Sequence, residues 1–274
     1  MTITKPLALS ISLAFSLLLA LPSTAQESLS ADTQQLSPQA KGLTIAKEMK
    51  ARDRGWQDSS ADMEMVLHIG KRESRREMRI LALEVADDGD KSMTIFDSPN
   101  DVKGTAFLSF THTNAMDDQW LYLPALKRVK RISSKNKSGP FMGSEFAYED
   151  LNSFEVEQYD YRWLRDETVD GQDCFVIEST PRDQYSGYSK QVAWVDKTHY
   201  RVLKIDFYDR KDTLLKTLTL SDYKLHLNKF WRPTTQSMVN HKNQRRTEVF
   251  LRNYQFGTGL DESDFTENSL KRAR

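Results

Sequence analysis

Between Asp62 and Phe256 the chain repeatedly alternates apolar and polar side chains over a short run, then breaks into a few residues rich in Asp, Asn, Gly or Pro. In "DMEMVLHI", Met63, Met65, Leu67 and Ile69 alternate with Asp62, Glu64, Val66 and His68, the period of two of a strand with one buried face. Similar runs follow at "REMRILALEV", "KSMTIFD", "GTAFLSF" and "QWLYLP", and a second series extends from "YRWLRDETV" to "RTEVFLRNYQF". The separators "ADDGD", "SPND" and "THTNAMDD" have the composition of turns. Such short connectors join antiparallel neighbours, because a parallel pair needs a crossover of about a dozen residues or more. The pattern therefore predicts a mainly β fold of roughly ten or more strands, enough for the sheet to curl. Its interior is core or cavity, and the inward candidates Met63, Met65, Met78 and Met93 suit either.

The N-terminal region has a different character. One Lys precedes a largely apolar run from Leu7 to Leu21, and small residues end at Ala25, so residues 1–25 read as a secretory signal peptide. That run is short for a membrane span, and no later segment approaches the roughly 18 uninterrupted apolar residues a spanning helix requires. No Cys lies near the cleavage point to carry a lipid anchor, so the expected location is the periplasm, in soluble form. Residues 26–41 are polar and read as a flexible leader. Residues 42–274 are expected to form one domain, opened by an amphipathic helix with Leu43, Ala46 and Met49 on one face and Gly55 as its stop. Cys174 is the only cysteine, so no internal disulfide supports the fold and the core must hold it.

Thirty-nine basic residues balance 39 acidic ones, which gives no global reason to expect nucleic acid as a partner. Locally the charge separates: Lys127 to Lys137 holds six cations and no acid, while Glu145 to Glu157 holds five acids and no base. No nucleophile elbow, phosphate loop or dinucleotide-binding turn occurs, and the five histidines are scattered without ligand spacing. Neither a metal nor another cofactor is expected. Cys174, in the strand-like "QDCFVIEST", reads as a small buried hydrophobe. The best enzymatic candidates are Glu145, Glu149 and Asp150. On a helix Glu145 and Glu149 would share a face, but acid and base pairs usually oppose each other across a cleft, so no catalytic residue is assigned.

Three motifs carry a family likeness: "FDSPNDVKGTAFLSF", "DQWLYLPALKRVKRI" and "SGPFMGSEFAYEDL". Together they resemble the LolA-like outer membrane lipoprotein-sorting proteins, in the branch found beside RND or MMPL-type transporters. The resemblance implies an unclosed antiparallel β-barrel whose concave apolar face is covered by helices and binds lipid or lipoprotein acyl chains. On that reading Met63, Met65, Leu67, Trp120, Tyr122, Phe141, Met142, Phe146 and Tyr148 are the lipid-binding candidates. Gly139 and Gly143 let the backbone turn tightly. Glu149 and Asp150 are expected to pair with Lys130 and Arg131 as a latch. Together with Lys127, Arg128 and Glu145 these charges form the latch or partner-binding set, the alternative being docking to an inner-membrane RND/MMPL-type transporter or transiently to anionic headgroups. Two other functions stay open: a non-shuttling accessory module of the transporter, and an envelope hydrolase using Glu145, Glu149 and Asp150.

Overall fold

A Ser-Pro pair opens the first helix. In the computed structural model, which describes residues 36–273, the Ser37 hydroxyl accepts from Ala40 N at 3.1 Å and Pro38 occupies the first turn of helix α1 (Pro38–Arg52). The expected signal peptide and most of the leader lie outside the described residues. The last leader residues, 38–41, are helical rather than flexible, because the cap and the proline fix that turn. Leu36–Arg274 forms one compact unit.

The alternating runs become thirteen strands: β1 (Asp58–Ile69), β2 (Arg72–Leu83), β3 (Lys91–Ser98), β4 (Ala106–Phe110), β5 (Asp118–Leu123), β6 (Arg128–Arg131), β7 (Tyr159–Val169), β8 (Gln172–Pro181), β9 (Tyr188–Asp196), β10 (Val202–Asp209), β11 (Leu214–His226), β12 (Phe230–Asn240) and β13 (Arg246–Phe256). They form one antiparallel sheet in the order β6-β5-β4-β3-β2-β1-β13-β12-β11-β10-β9-β8-β7. Every neighbour is a hairpin partner except β1 and β13, which join the two ends of the meander at the centre of the sheet. The free edges are consequently β6 and β7, and the segment 132–158 between them runs from one edge to the other.

The sheet is curled but not closed. Gln119 of β5 and Tyr188 of β9 stand nine strands apart in the sheet order yet bind residues two apart in segment 132–158, Gln119 the Tyr148 carbonyl and Tyr188 the Asp150 carboxylate. At about 4.8 Å per strand a flat sheet would separate them by roughly 43 Å. Among the described residues β6 and β7 do not pair, so the barrel stays open along that seam.

Alternation distributes the apolar residues between the two faces. The inner face carries Met65, Leu67, Met78, Phe107, Leu121, Phe207 and Met238, all in the central cluster. Helix α1 lies on this side against β7, with Ile45 packed among Ile177, Ala193 and Val195. The approach is close at Gly42, where a Cβ would stand 2.7 Å from Trp163 N, so a side chain there would push the helix off the strand. The rest of the inner cover is segment 132–158, built from short 3₁₀ turns rather than α-helix. The C-terminal helix α2 (Glu267–Arg272) covers the opposite face, where Leu270 and Phe265 pack with Met93, Ile95 and Leu108. Met93 therefore does not point inward as expected. It shares parity with Ile95, on the α2 side of β3, whereas Phe96 takes the inner side. No described helix is long and apolar enough to cross a membrane.

Candidate functional site

The motif "GPFMGSEFAYEDL" sits at the middle of the crossover and roofs the inner face. Phe141 N donates to Phe146 O at 2.7 Å, and Pro140 and Ala147 form an isolated antiparallel bridge, so residues 140–147 make a small lasso. Its tip turns at Met142 and Gly143, both left-handed with φ of 49° and 78°. Glycine adopts this region freely, whereas Met142 is strained there. The Arg76 guanidinium donates to the Met142 carbonyl at 2.6 Å and holds that turn over β2.

The lasso drives its aromatics into the sheet. Phe141 is 1 % exposed and its ring meets Phe107 at 5.2 Å, Tyr148 at 5.6 Å and Phe96 at 5.9 Å between centroids. Phe146 is buried beside it, and Met142 and Tyr148 are half-buried against the same cluster as Met63, Met65 and Leu67. Seven of the nine apolar candidates therefore share one surface. Trp120 and Tyr122 do not: they face α2, and Leu121 between them is the residue β5 turns inward. The period of two that predicts the strand also separates these neighbours.

The crossover is held by single polar contacts spread over many strands. Asp150 Oδ2 accepts from Lys216 Nζ and from Ala147 N, each at 2.6 Å, and Asp150 Oδ1 accepts from the Tyr188 hydroxyl at 2.7 Å. The Asp150 and Lys216 side chains are 5 % and 4 % exposed. Lys216 also donates to Glu145 O at 3.0 Å and lies 5.2 Å from the Tyr188 and Phe207 ring centroids. Burial, followed by the adjoining Asp150 and Glu149 charges, holds the Tyr188 phenol well above its usual range. Glu149 accepts from Ser186 Oγ at 2.8 Å and Gly187 N at 2.9 Å, and burial raises its carboxyl. Gly187 must be glycine for this fit, since a Cβ would stand 2.6 Å from Ser138 Cβ and 2.9 Å from Glu149 Oε1. Glu145 accepts from Asn240 Nδ2 at 2.7 Å, and Gln119 Nε2 of β5 donates to Tyr148 O at 2.8 Å.

The expected partners for the latch were therefore wrong, although the motif's acids do bind it to the sheet. Arg131 pairs with Asp118 on the adjacent strand β5, and Lys130 has no carboxylate partner among the described residues. Lys127, Arg128, Lys130 and Arg131 are exposed at the β6 edge, while the crossover turns inward and meets β9 and β11 instead. Sequence reasoning missed Lys216, Tyr188 and Gly187 because they lie 38 to 66 residues from their partners. Lys216 left one signal, a cation two residues before Leu218 on the apolar stripe of its strand.

Further along, Glu155 accepts from Lys50 of α1 at 2.8 Å, and Asp90 stands 3.9 Å from the same ammonium. Burial pushes the Asp90 carboxyl up to about 6, with Lys50 opposing it. A raised carboxyl binds more protons folded than unfolded, so its contribution is present below the unfolded value of 3.8 and disappears as pH rises through about 6. Asp90→Asn is accordingly expected to stabilise the fold by about 1–2 kcal/mol near neutral pH and to have little effect near pH 4. Chemical denaturation at the two pH values measures this, and an equal effect at both would exclude the charge as the cause.

Two open clefts flank the crossover. One, of about 660 Å³, lies between residues 113–117, the crossover and strands β7 to β11, with Ile205, Phe207 and Leu218 as its floor. Met116 and Phe154, both exposed, line its mouth. The other, of about 580 Å³, opens on the far side of the lasso over Phe146, Tyr188 and Leu215. Both volumes fall in the range of small-molecule sites.

The architecture has known relatives. A family model described only as "Uncharacterized protein" matches residues 88–272. A search of curated proteins finds no match. Among solved structures, a Vibrio parahaemolyticus domain named for outer membrane lipoprotein sorting is 61% identical, with a TM-score of 0.84 over 85% of this chain and 99% of that one. A DUF1329 family protein from Desulfovibrio piger is 31% identical, with a TM-score of 0.81 over 86% of this chain and 100% of that one. A LolA superfamily protein from Nitrosomonas europaea shares the fold at 20% identity, with a TM-score of 0.68 over 86% of this chain and 100% of its own. At these identities over nearly their whole lengths, the chain belongs to the family of the Vibrio outer membrane lipoprotein-sorting domain and the DUF1329 protein, and it shares with the LolA superfamily protein the fold of an unclosed antiparallel barrel.

Proposed function

We propose that this protein is a periplasmic carrier that holds a lipid, or the acyl chains of a lipoprotein, against the inner apolar face and moves it through the envelope with an RND-type inner-membrane transporter. The observation that carries the reading is the roof itself: a continuous apolar face covered by a segment with no long strand or helix pairing, attached at separate polar points and flanked by two open clefts. Such a cover can be lifted without breaking the sheet beneath it. The name of the Vibrio relative points to the same kind of cargo.

Physical need fits this role. Each CH₂ buried is worth about 0.8 kcal/mol, so drawing roughly fourteen chain carbons into water costs on the order of 11 kcal/mol. At about 1.36 kcal/mol per tenfold in rate, an unassisted crossing is slowed roughly 10⁸-fold. An apolar surface on a water-soluble protein removes most of that barrier with no covalent chemistry. Glu145, Glu149 and Asp150 are each engaged in holding the crossover, which supports a structural over a hydrolytic use of them. The exposed cations of the β6 edge are the proposed transporter contact.

Mass spectrometry of organic extracts from the mature protein, purified from its native envelope without detergent, tests the reading. One lipid class enriched to near one per chain is the expected result. A protein that comes out empty would favour a docked accessory module of the transporter over a carrier.

A further inference from the structure

The two clefts beside the crossover have opposite electrostatic character. The 660 Å³ cleft is lined by Asp117, Glu149 and Glu157, which form no ion pair among the described residues, and by Asp150 and Asp183, paired with Lys216 and Lys137; its other cation, Arg182, pairs with Asp160. The 580 Å³ cleft carries Arg210, Lys211 and Arg245 against Glu145, which accepts from the neutral Asn240 amide and keeps its charge, while its other acid, Asp209, is paired with Lys242. Its fourth cation, Lys216, is taken up by Asp150. Among the described residues none of Arg210, Lys211 and Arg245 forms an ion pair, although the chain has as many acids as bases.

These cations do not stand on loose ends. The Arg210 guanidinium donates through Nε to Ser186 O at 2.9 Å and through Nη2 to Tyr185 O at 3.0 Å, which orients its plane and leaves its charge uncompensated. The turn that presents it is tied by Asp209, which accepts from Lys211 N at 2.9 Å and Thr213 N at 3.0 Å. Beneath the cations the cleft is apolar, with Phe146, Tyr188 and Leu215 continuous with the central cluster. A cationic rim above a greasy floor matches a molecule with an anionic head and an apolar tail.

Building on the carrier reading, we infer that this cleft is the headgroup subsite and takes the phosphate of an anionic amphiphile, whose chain enters under the lasso along Leu215 and Phe146. Guanidinium groups bind phosphate through paired charge-assisted hydrogen bonds. The acid-lined cleft on the other side repels the same group, so charge gives the cargo one orientation.

The test titrates the mature chain with a short-chain phosphatidic acid, with the diacylglycerol of the same chains, and with inorganic phosphate. The phosphatidic acid is expected to bind about tenfold or more tighter than the diacylglycerol, and this preference should shrink at high salt. Lys211→Gln/Arg245→Gln alters side chains that hold no other part of the fold, and Arg210→Gln serves as the second variant. Both should remove most of the preference and leave diacylglycerol binding unchanged. Equal binding of the two lipids, or a preference that survives in both variants, overturns the subsite and leaves the carrier reading standing. Inorganic phosphate that competes as well as the lipid would show an isolated anion site and overturn the headgroup assignment. Failure of both lipids to bind overturns the carrier reading together with it.

Discussion

Exchanging Lys216 for methionine is expected to destabilise the fold by about 3–5 kcal/mol, because it leaves the Asp150 carboxylate buried without its cation. Methionine keeps most of the side-chain volume, so the loss reports charge and not a cavity. Lys216→Met/Asp150→Asn is expected to recover part of it: no uncompensated charge stays buried, and an amide oxygen can still accept from the Tyr188 hydroxyl. Chemical denaturation of the wild type, both single variants and the double variant gives the coupling energy directly. Losses that simply add would mean that the two residues act separately and that the crossover is held elsewhere. The outcome bears on function as well, since this pair closes the wall between the two clefts: Asp150 lines one and Lys216 the other.

Phe141→Ala is expected to destabilise by a similar amount, about 3–5 kcal/mol, since it empties a fully buried ring site among Phe96, Phe107 and Tyr148. A second effect separates this variant from an ordinary core truncation. Apolar cavities of this kind stay dry and accept apolar ligands. If the lasso aromatics occupy surface that cargo also uses, a short-chain diacylglycerol should bind the variant more tightly than the wild type and recover stability as its concentration rises. Loss of stability with no gain in ligand affinity would place Phe141 in the core alone and move the cargo to the clefts.

The lasso shows why local reading and tertiary contact gave different answers for one motif. Phe141, Phe146 and Tyr148 were recognisable as apolar residues on a turning backbone, and Gly143 as the turn, because those properties belong to adjacent residues. The basic run from Lys127 and the acids from Glu145 also look complementary in sequence, yet they part in space. The β5–β6 hairpin turns Arg131 toward Asp118 while the chain after it crosses to β9 and β11.

By itself the sequence determined the strands and their antiparallel connections, since alternation and turn chemistry act over a few residues; it located the first helix but not its buried face, which carries Ile45 and Ala46 and leaves Leu43 exposed. It also placed Met63, Met65 and Leu67 on one face, because a period of two leaves no choice once the strand is set. Only the tertiary structure decided that β1 pairs with β13, which makes β6 and β7 the free edges and sends residues 132–158 across the inner face. That closure brings Lys216 to Asp150 and Gly187 to Glu149, and it divides the apolar face into an acidic and a basic cleft. The reason is physical: pairing of distant strands and burial of a charge pair depend on what the whole sheet brings together, and no short stretch of chain contains that information.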